Sequence, residues 1–135
     1  MYSDLLLYQA ARRIQTNYHA YFRTIGLPSL TFTQFITLRE LWSEPTNCLS
    51  EKELCLRLGL DSGTLTPVLK KLEKDGLVTR ARSKADERVV EITLTEEGRA
   101  VRGKIGAGPE IGLTDEQVEV LEQIMTEQDD SHSQS

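Results

Sequence analysis

The apolar positions of the chain follow two periods, and each period predicts its own kind of element. From Leu7 through Ala11, Ile14, Tyr18 and Tyr21 to Ile25 they alternate at four and three residues, the repeat of a helix packed along its length. One long helix is expected over residues 4–25, with Arg12, Arg13, Gln15 and Asn17 on its other side. Gly26-Leu27-Pro28-Ser29-Leu30 breaks it. Thr31 with Gln34 forms a capping box, and Phe35, Leu38, Leu41 and Trp42 give the helix that follows its apolar side. A second box, Ser50 with Glu53, opens a short helix carrying Leu54 and Leu58. Beyond the break at Gly59-Leu60-Asp61-Ser62-Gly63, Leu65, Val68, Leu69 and Leu72 recur at i, i+3, i+4 and i+7, one buried stripe. Gly76 stands where that helix would stop. The period then drops to two. Val90, Ile92 and Leu94 alternate with Glu91 and Thr93, so residues 77–82 and 89–94 are expected to be strands. Thr95, followed by Glu96 and Glu97, opens another helix through Val101. Gly103, Gly106, Gly108, Pro109 and Gly112 interrupt it. Thr114 with Gln117 then opens a last helix whose apolar face is Val118, Leu121, Ile124 and Met125.

Helix, turn, helix and hairpin in that order make a winged helix-turn-helix. The expected fold is mainly α with a small β-hairpin wing (α+β), flanked by N- and C-terminal dimerisation helices. One domain covers residues 1–135. Within it, residues 1–47 supply N-terminal helices for dimerisation and a pocket. The winged module occupies 48–96, C-terminal dimerisation helices 97–127, and a polar, fraying tail 128–135. The first and last helices carry more apolar surface than one small core needs, which predicts a homodimer; closing a monomeric core is the alternative.

The outer face of the second helix of the turn carries Ser62, Thr64, Thr66, Lys70 and Lys71, short donors and cations that reach base edges and phosphates. The loop Ser83-Lys84-Ala85-Asp86-Glu87-Arg88 forms a basic hairpin tip, flanked by Arg80 and Arg82. Together they make a module for double-stranded DNA. The net charge of −5 opposes this and supports the other class of function, a winged module for protein contact without sequence-specific DNA binding. Its distribution answers the objection. From Gly106 onward there are acids and no Lys or Arg, whereas between Asp61 and Arg88 the cations Lys70, Lys71, Lys74, Arg80, Arg82, Lys84 and Arg88 outnumber them. Local potential attracts a polyanion; distant acids suppress non-specific adhesion.

No apolar run approaches the ~18–20 residues that span a bilayer, and Asp4 contradicts the basic start of a signal peptide. A soluble, cytoplasmic protein with no membrane partner is expected. Cys48 and Cys55 are too few for a disulfide framework. His19 on the first helix and His132 in the tail leave no His/Cys pair or metal cluster, so no enzyme, metal or cofactor is expected.

At LDSGTLTPVLKKLEKDGLVTR (residues 60–80) and DERVVEITLTEEG (residues 86–98) the sequence resembles the MarR family of bacterial transcriptional regulators. Within it, the organic-hydroperoxide-sensing OhrR branch shares the LDSGTLTP run nearly verbatim. The resemblance covers almost the whole chain. It implies a dimeric repressor on a pseudo-palindromic operator, released by a small ligand or an oxidant. Ser62, Thr64, Thr66, Pro67, Lys70 and Lys71 would lie along the major groove. Arg88, held by Asp86, would enter the minor groove, with Arg80, Arg82 and Lys84 on the backbone. Propensity alone starts the recognition helix at Thr66 with Pro67 next; the resemblance implies a start near Ser62, and that start is expected. It also implies an effector pocket between the first two helices and the winged module, near Asp4, Tyr8, Tyr18 and Trp42. Asp4 matches the position of the branch's sensor cysteine, and a carboxylate cannot become a sulfenate. Any redox role would fall to Cys48 or Cys55.

Overall fold

A computed structural model describes residues 2–133, with the backbone alone for 128–133. Six helices and three short strands run in the order α1 (Ser3–Thr24), α2 (Phe32–Trp42), β1 (Cys48–Ser50), α3 (Glu51–Leu58), α4 (Ser62–Lys74), β2 (Val78–Arg82), β3 (Val90–Leu94), α5 (Glu96–Ile105) and α6 (Asp115–Ser133). The expected helices and both wing strands are present.

Local sequence accounts for most of the boundaries. The Thr31 hydroxyl accepts the Gln34 N–H at 3.1 Å, and the Gln34 side chain accepts the Thr31 N–H at 2.9 Å, so the α2 capping box is complete. Thr114 and Gln117 exchange the same two bonds at α6. Ser50 makes half a box: its hydroxyl accepts the Glu53 N–H, but the Glu53 carboxylate turns to Arg57, 3.3 Å away. Gly76, at φ 77°, ends α4 in a conformation that costs a residue without Cβ little. Its N–H and that of Leu77 reach back to the carbonyls of Glu73 and Leu72, the double bond of a Schellman stop.

The sheet order is β1-β3-β2, antiparallel throughout, with Leu49 opposite Ile92 and Arg80 opposite Ile92 on the other side. β1 is an addition to the expected fold. Three residues show no alternation, and the strand exists because the outer edge of β3 offers unpaired backbone groups. The core lies under this sheet, where Phe22, Leu38, Leu41, Leu54, Leu65, Leu69, Leu72 and Ile92 are fully buried. At Gly98 an added Cβ would lie 2.0 Å from the Leu77 carbonyl oxygen, so α5 can seat against the start of β2 only at a glycine. The Trp42 indole donates to the Gly98 carbonyl at 2.9 Å and closes the other side.

The two terminal helices are different. Of the α1 stripe Tyr18 is buried, next to Phe22, and Ile14, Tyr21 and Ile25 are half-buried; Leu5, Leu6, Leu7 and Tyr8 are exposed. Val118, Val120, Leu121 and Met125 of α6 are exposed as well. The helix backbone of α6 continues past Gln128 to Ser133, beyond the expected start of fraying; residues 134–135 and the side chain of His132 lie outside the described residues.

Candidate nucleic-acid interface

α4 begins at Ser62, as expected, and Asp61 is the reason. Its carboxylate accepts the Thr64 N–H at 2.7 Å, and bonds from Thr64 hold its pKa below the ordinary carboxylate value. That cap, with Leu65 wholly buried in the first turn, outweighs the backbone bond that Pro67 cannot make inside the helix. Sequence reasoning missed Asp61 as the cap; an acid directly before Ser-Gly-Thr was the available signal.

Ser62, Thr64, Pro67, Lys70 and Lys71 are all exposed on one side of α4, while Leu65, Leu69 and Leu72 face the core. Lys71 has Asp75 3.8 Å away at its own helix end. Thr66 departs from the expectation of a groove-facing donor. It is half-buried, and its hydroxyl donates to the Glu51 carboxylate at 2.7 Å.

The hairpin tip is ordered by its own side chains. Ser83 donates its N–H to the Val89 carbonyl and accepts the Ala85 N–H. Asp86 grips Arg88 at three points: the backbone N–H at 3.0 Å, then Nε and Nη2 at 3.1 Å each. Those bonds from Arg88 hold the Asp86 carboxyl below its ordinary pKa. The Arg88 side chain is nevertheless 90% exposed, a cation fixed in direction and open to solvent. Arg82 donates to the Glu87 carbonyl at 2.8 Å, and Lys84 is exposed. Arg80, expected on the backbone of a duplex, is turned inward instead, 3.7 Å from Glu51. Its position opposite Ile92 puts it at the middle of the β2–β3 ladder, where its guanidinium meets the first residue of α3.

The residues expected to line an effector pocket do not converge within the protomer. Asp4 bonds to the neighbouring Leu5 N–H, and Tyr8 is 59% exposed with Arg12 on its hydroxyl. At 1.5 Å per residue Asp4 stands about 21 Å along α1 from Tyr18. Trp42 is held on Gly98, its ring edge-on to Phe35. Of the four, Tyr18 alone borders a cleft of about 390 Å³, with Leu6, Gln9, Arg13, Ile14 and Ile111 among its walls. That cleft lies between α1 and the segment before α6, away from the winged module. His19, also on α1, accepts the Phe32 N–H at Nε2, 3.0 Å, and so serves the start of α2.

Both cysteines are free and half-buried. Burial, and then the nearby charges of Glu51 and Asp61, push the Cys55 thiol pKa up. The Cys48 sulfur accepts the Thr93 hydroxyl across the β1–β3 pair at 3.3 Å.

A capped helix with a polar outer face, set beside a hairpin whose tip carries a braced arginine, defines a winged-helix protein of the DNA-binding class. A family profile described as transcriptional regulator SarA/Rot matches residues 27–105. The chain belongs to this family. The Bacillus subtilis organic hydroperoxide resistance transcriptional regulator is 39% identical over 121 residues, 88% of this chain and 79% of its own length. The HTH-type transcriptional regulator TtmR of Methylorubrum extorquens is 42% identical over 122 residues, 86% of this chain; the chain spans only 62% of TtmR. Among solved structures, reduced AbfR bound to DNA superimposes with a TM-score of 0.76 at 31% identity, over 97% of this chain and 91% of that one. The resemblance to the organic-hydroperoxide branch is thereby borne out; an operator-bound MarR from E. coli, at 24% identity and a TM-score of 0.72, shares the fold. No helix among the described residues is long and apolar enough to cross a membrane.

Proposed function

We propose that this chain is a homodimeric, sequence-specific DNA-binding regulator acting in the cytoplasm as a repressor. The observation that carries the reading is Arg88, exposed yet locked by Asp86, on the same reading head as the free face of α4. Ser62, Thr64 and Pro67 meet base edges in the major groove, and Lys70, Lys71, Arg82 and Lys84 hold phosphates on either side. Arg88 enters the neighbouring minor groove, whose potential favours an inserted guanidinium.

Exposed surface supports the dimer. The protomer exposes 9639 Å², against roughly 7100 Å² for a compact 15.2 kDa monomer. The excess agrees with the uncovered apolar residues of α1 and α6. A second copy laid on these helices would pair two reading heads on a two-fold axis, the arrangement a pseudo-palindromic operator requires. It would also close the cleft beside Tyr18, where we place a small, largely apolar effector.

The name of the Bacillus subtilis relative favours organic hydroperoxide as the alternative signal. Asp4 has no sulfur to oxidise, so that chemistry would have to run through Cys48 or Cys55. The deciding experiment selects a preferred duplex from a random pool and follows its anisotropy before and after cumene hydroperoxide, with the wild type, Cys48→Ser and Cys55→Ser. Release that one serine variant abolishes assigns the sensor. Binding that ignores peroxide in all three leaves the ligand cleft. A pool with no preferred sequence removes the DNA-reading proposal itself.

A further inference from the structure

We propose that Glu51 is the positioning residue of the reading head, one carboxylate that holds the recognition helix through Thr66 and the wing through Arg80. The role rests on the DNA-reading function proposed above. Glu51 is the first residue of α3, the helix that itself makes no groove contact in that reading. Oε1 accepts the Thr66 hydroxyl of α4 at 2.7 Å, while Oε2 faces Arg80 Nη2 of β2 at 3.7 Å. Three elements of the winged module therefore meet on one side chain.

The pair is shielded, with Glu51 16% and Arg80 20% exposed. Charges at that depth are screened less than surface pairs, and removing one leaves the other uncompensated. Arg80 is also under-bonded: its Nε is buried and has no hydrogen-bond partner. Among the described residues Glu51 is the acid paired with it, so the charge on Glu51 sets where that guanidinium points. Packing does not require such an arrangement. The sheet ladder and the leucines of α4 already bury the apolar surface, and a half-buried ion pair adds little net stability. Its consequence is geometric. Ser83 lies three residues beyond Arg80, about 10 Å at 3.3 Å per residue, so a small rotation of the strand at Arg80 moves the tip that carries Arg88 by ångströms. Base reading tolerates less than that.

The test compares Glu51→Gln, Arg80→Met, Thr66→Val and the Glu51→Gln/Arg80→Met double variant. Two readouts are taken: the affinity ratio between a duplex recovered by selection and a scrambled duplex of equal composition, and amide exchange in β2 and the first turns of α4. Glu51→Gln keeps an acceptor for Thr66 but loses the charge on Arg80. It should lower the affinity ratio about tenfold and speed exchange in β2. Arg80→Met should do the same, and the double variant should be no worse than either single. Thr66→Val should lower the ratio through faster exchange in α4, which keeps the test decisive if a Glu51 variant fails to fold. A fall in thermal midpoint with unchanged ratio and unchanged exchange would overturn the proposal, as would additive losses in the double variant. If selection yields no preferred duplex, the DNA-reading function falls; unchanged exchange in β2 and α4 would then overturn the clamp separately.

Discussion

Arg88 lies edge-on to the Asp86 carboxylate, Nε to Oδ1 and Nη2 to Oδ2, each at 3.1 Å. An exposed pair of this kind contributes little to stability, yet it removes rotamer freedom from the arginine before any duplex arrives. Asp86→Ala should therefore weaken DNA binding by releasing Arg88, and the loss should be smaller than that of Arg88→Ala, which should cost roughly fivefold to a hundredfold. Anisotropy on the selected duplex measures both. Equal affinity in Arg88→Ala would remove it from the reading set.

Gly98→Ala should destabilise the chain by on the order of 3 kcal/mol. The added carbon would sit 2.0 Å from the Leu77 carbonyl oxygen, and backbone cannot yield as a side chain can. Thermal unfolding checks this, with a midpoint lowered by about 10 °C; an unchanged midpoint would show that α5 seats differently.

The acid side of stability follows from the cap on α4. Asp61 has its pKa lowered by bonds from Thr64, so its carboxylate form is favoured in the folded state. The sign is that of a depressed acid: the contribution is complete above the ordinary value of 3.8 and is lost as pH falls through the depressed one. Asp61→Asn should remove part of the acid-dependent loss while keeping a side-chain oxygen for the cap. Circular dichroism against pH for the two proteins gives the comparison, and superimposable acid curves would contradict it.

How much of this was legible in the sequence depends on how local each signal is. The boxes at Thr31 and Thr114 are closed between residues three apart, so two letters sufficed for each. The stripe of α4 and the alternation of β3 were equally plain, since each side chain faces one core. β1 was hidden because a three-residue strand is made by its neighbour. The α1 stripe showed that Leu7 and Tyr18 face something, but periodicity cannot separate a protein's own core from another molecule; Tyr18 is buried and Leu7 exposed. The type of Arg80 and its place beside the wing point to phosphates. Glu51, twenty-nine positions earlier, holds it elsewhere.

Cys55 should react slowly. Its raised pKa leaves little thiolate near neutral pH, so alkylation with iodoacetamide at pH 7.5 should proceed well below the rate of a free thiol. Labelling at the rate of an exposed model thiol would contradict this and favour Cys55 over Cys48 as the sensor.

The most direct test of the account is the salt dependence of duplex binding. With Lys70, Lys71, Arg82 and Lys84 on phosphates in each of two protomers, log K against log salt should fall with a slope of about −7, from about 0.9 per phosphate, and the selected duplex should keep its preference over a scrambled one throughout. A slope near zero, or equal affinity for both duplexes at every salt concentration, would contradict a DNA-reading dimer.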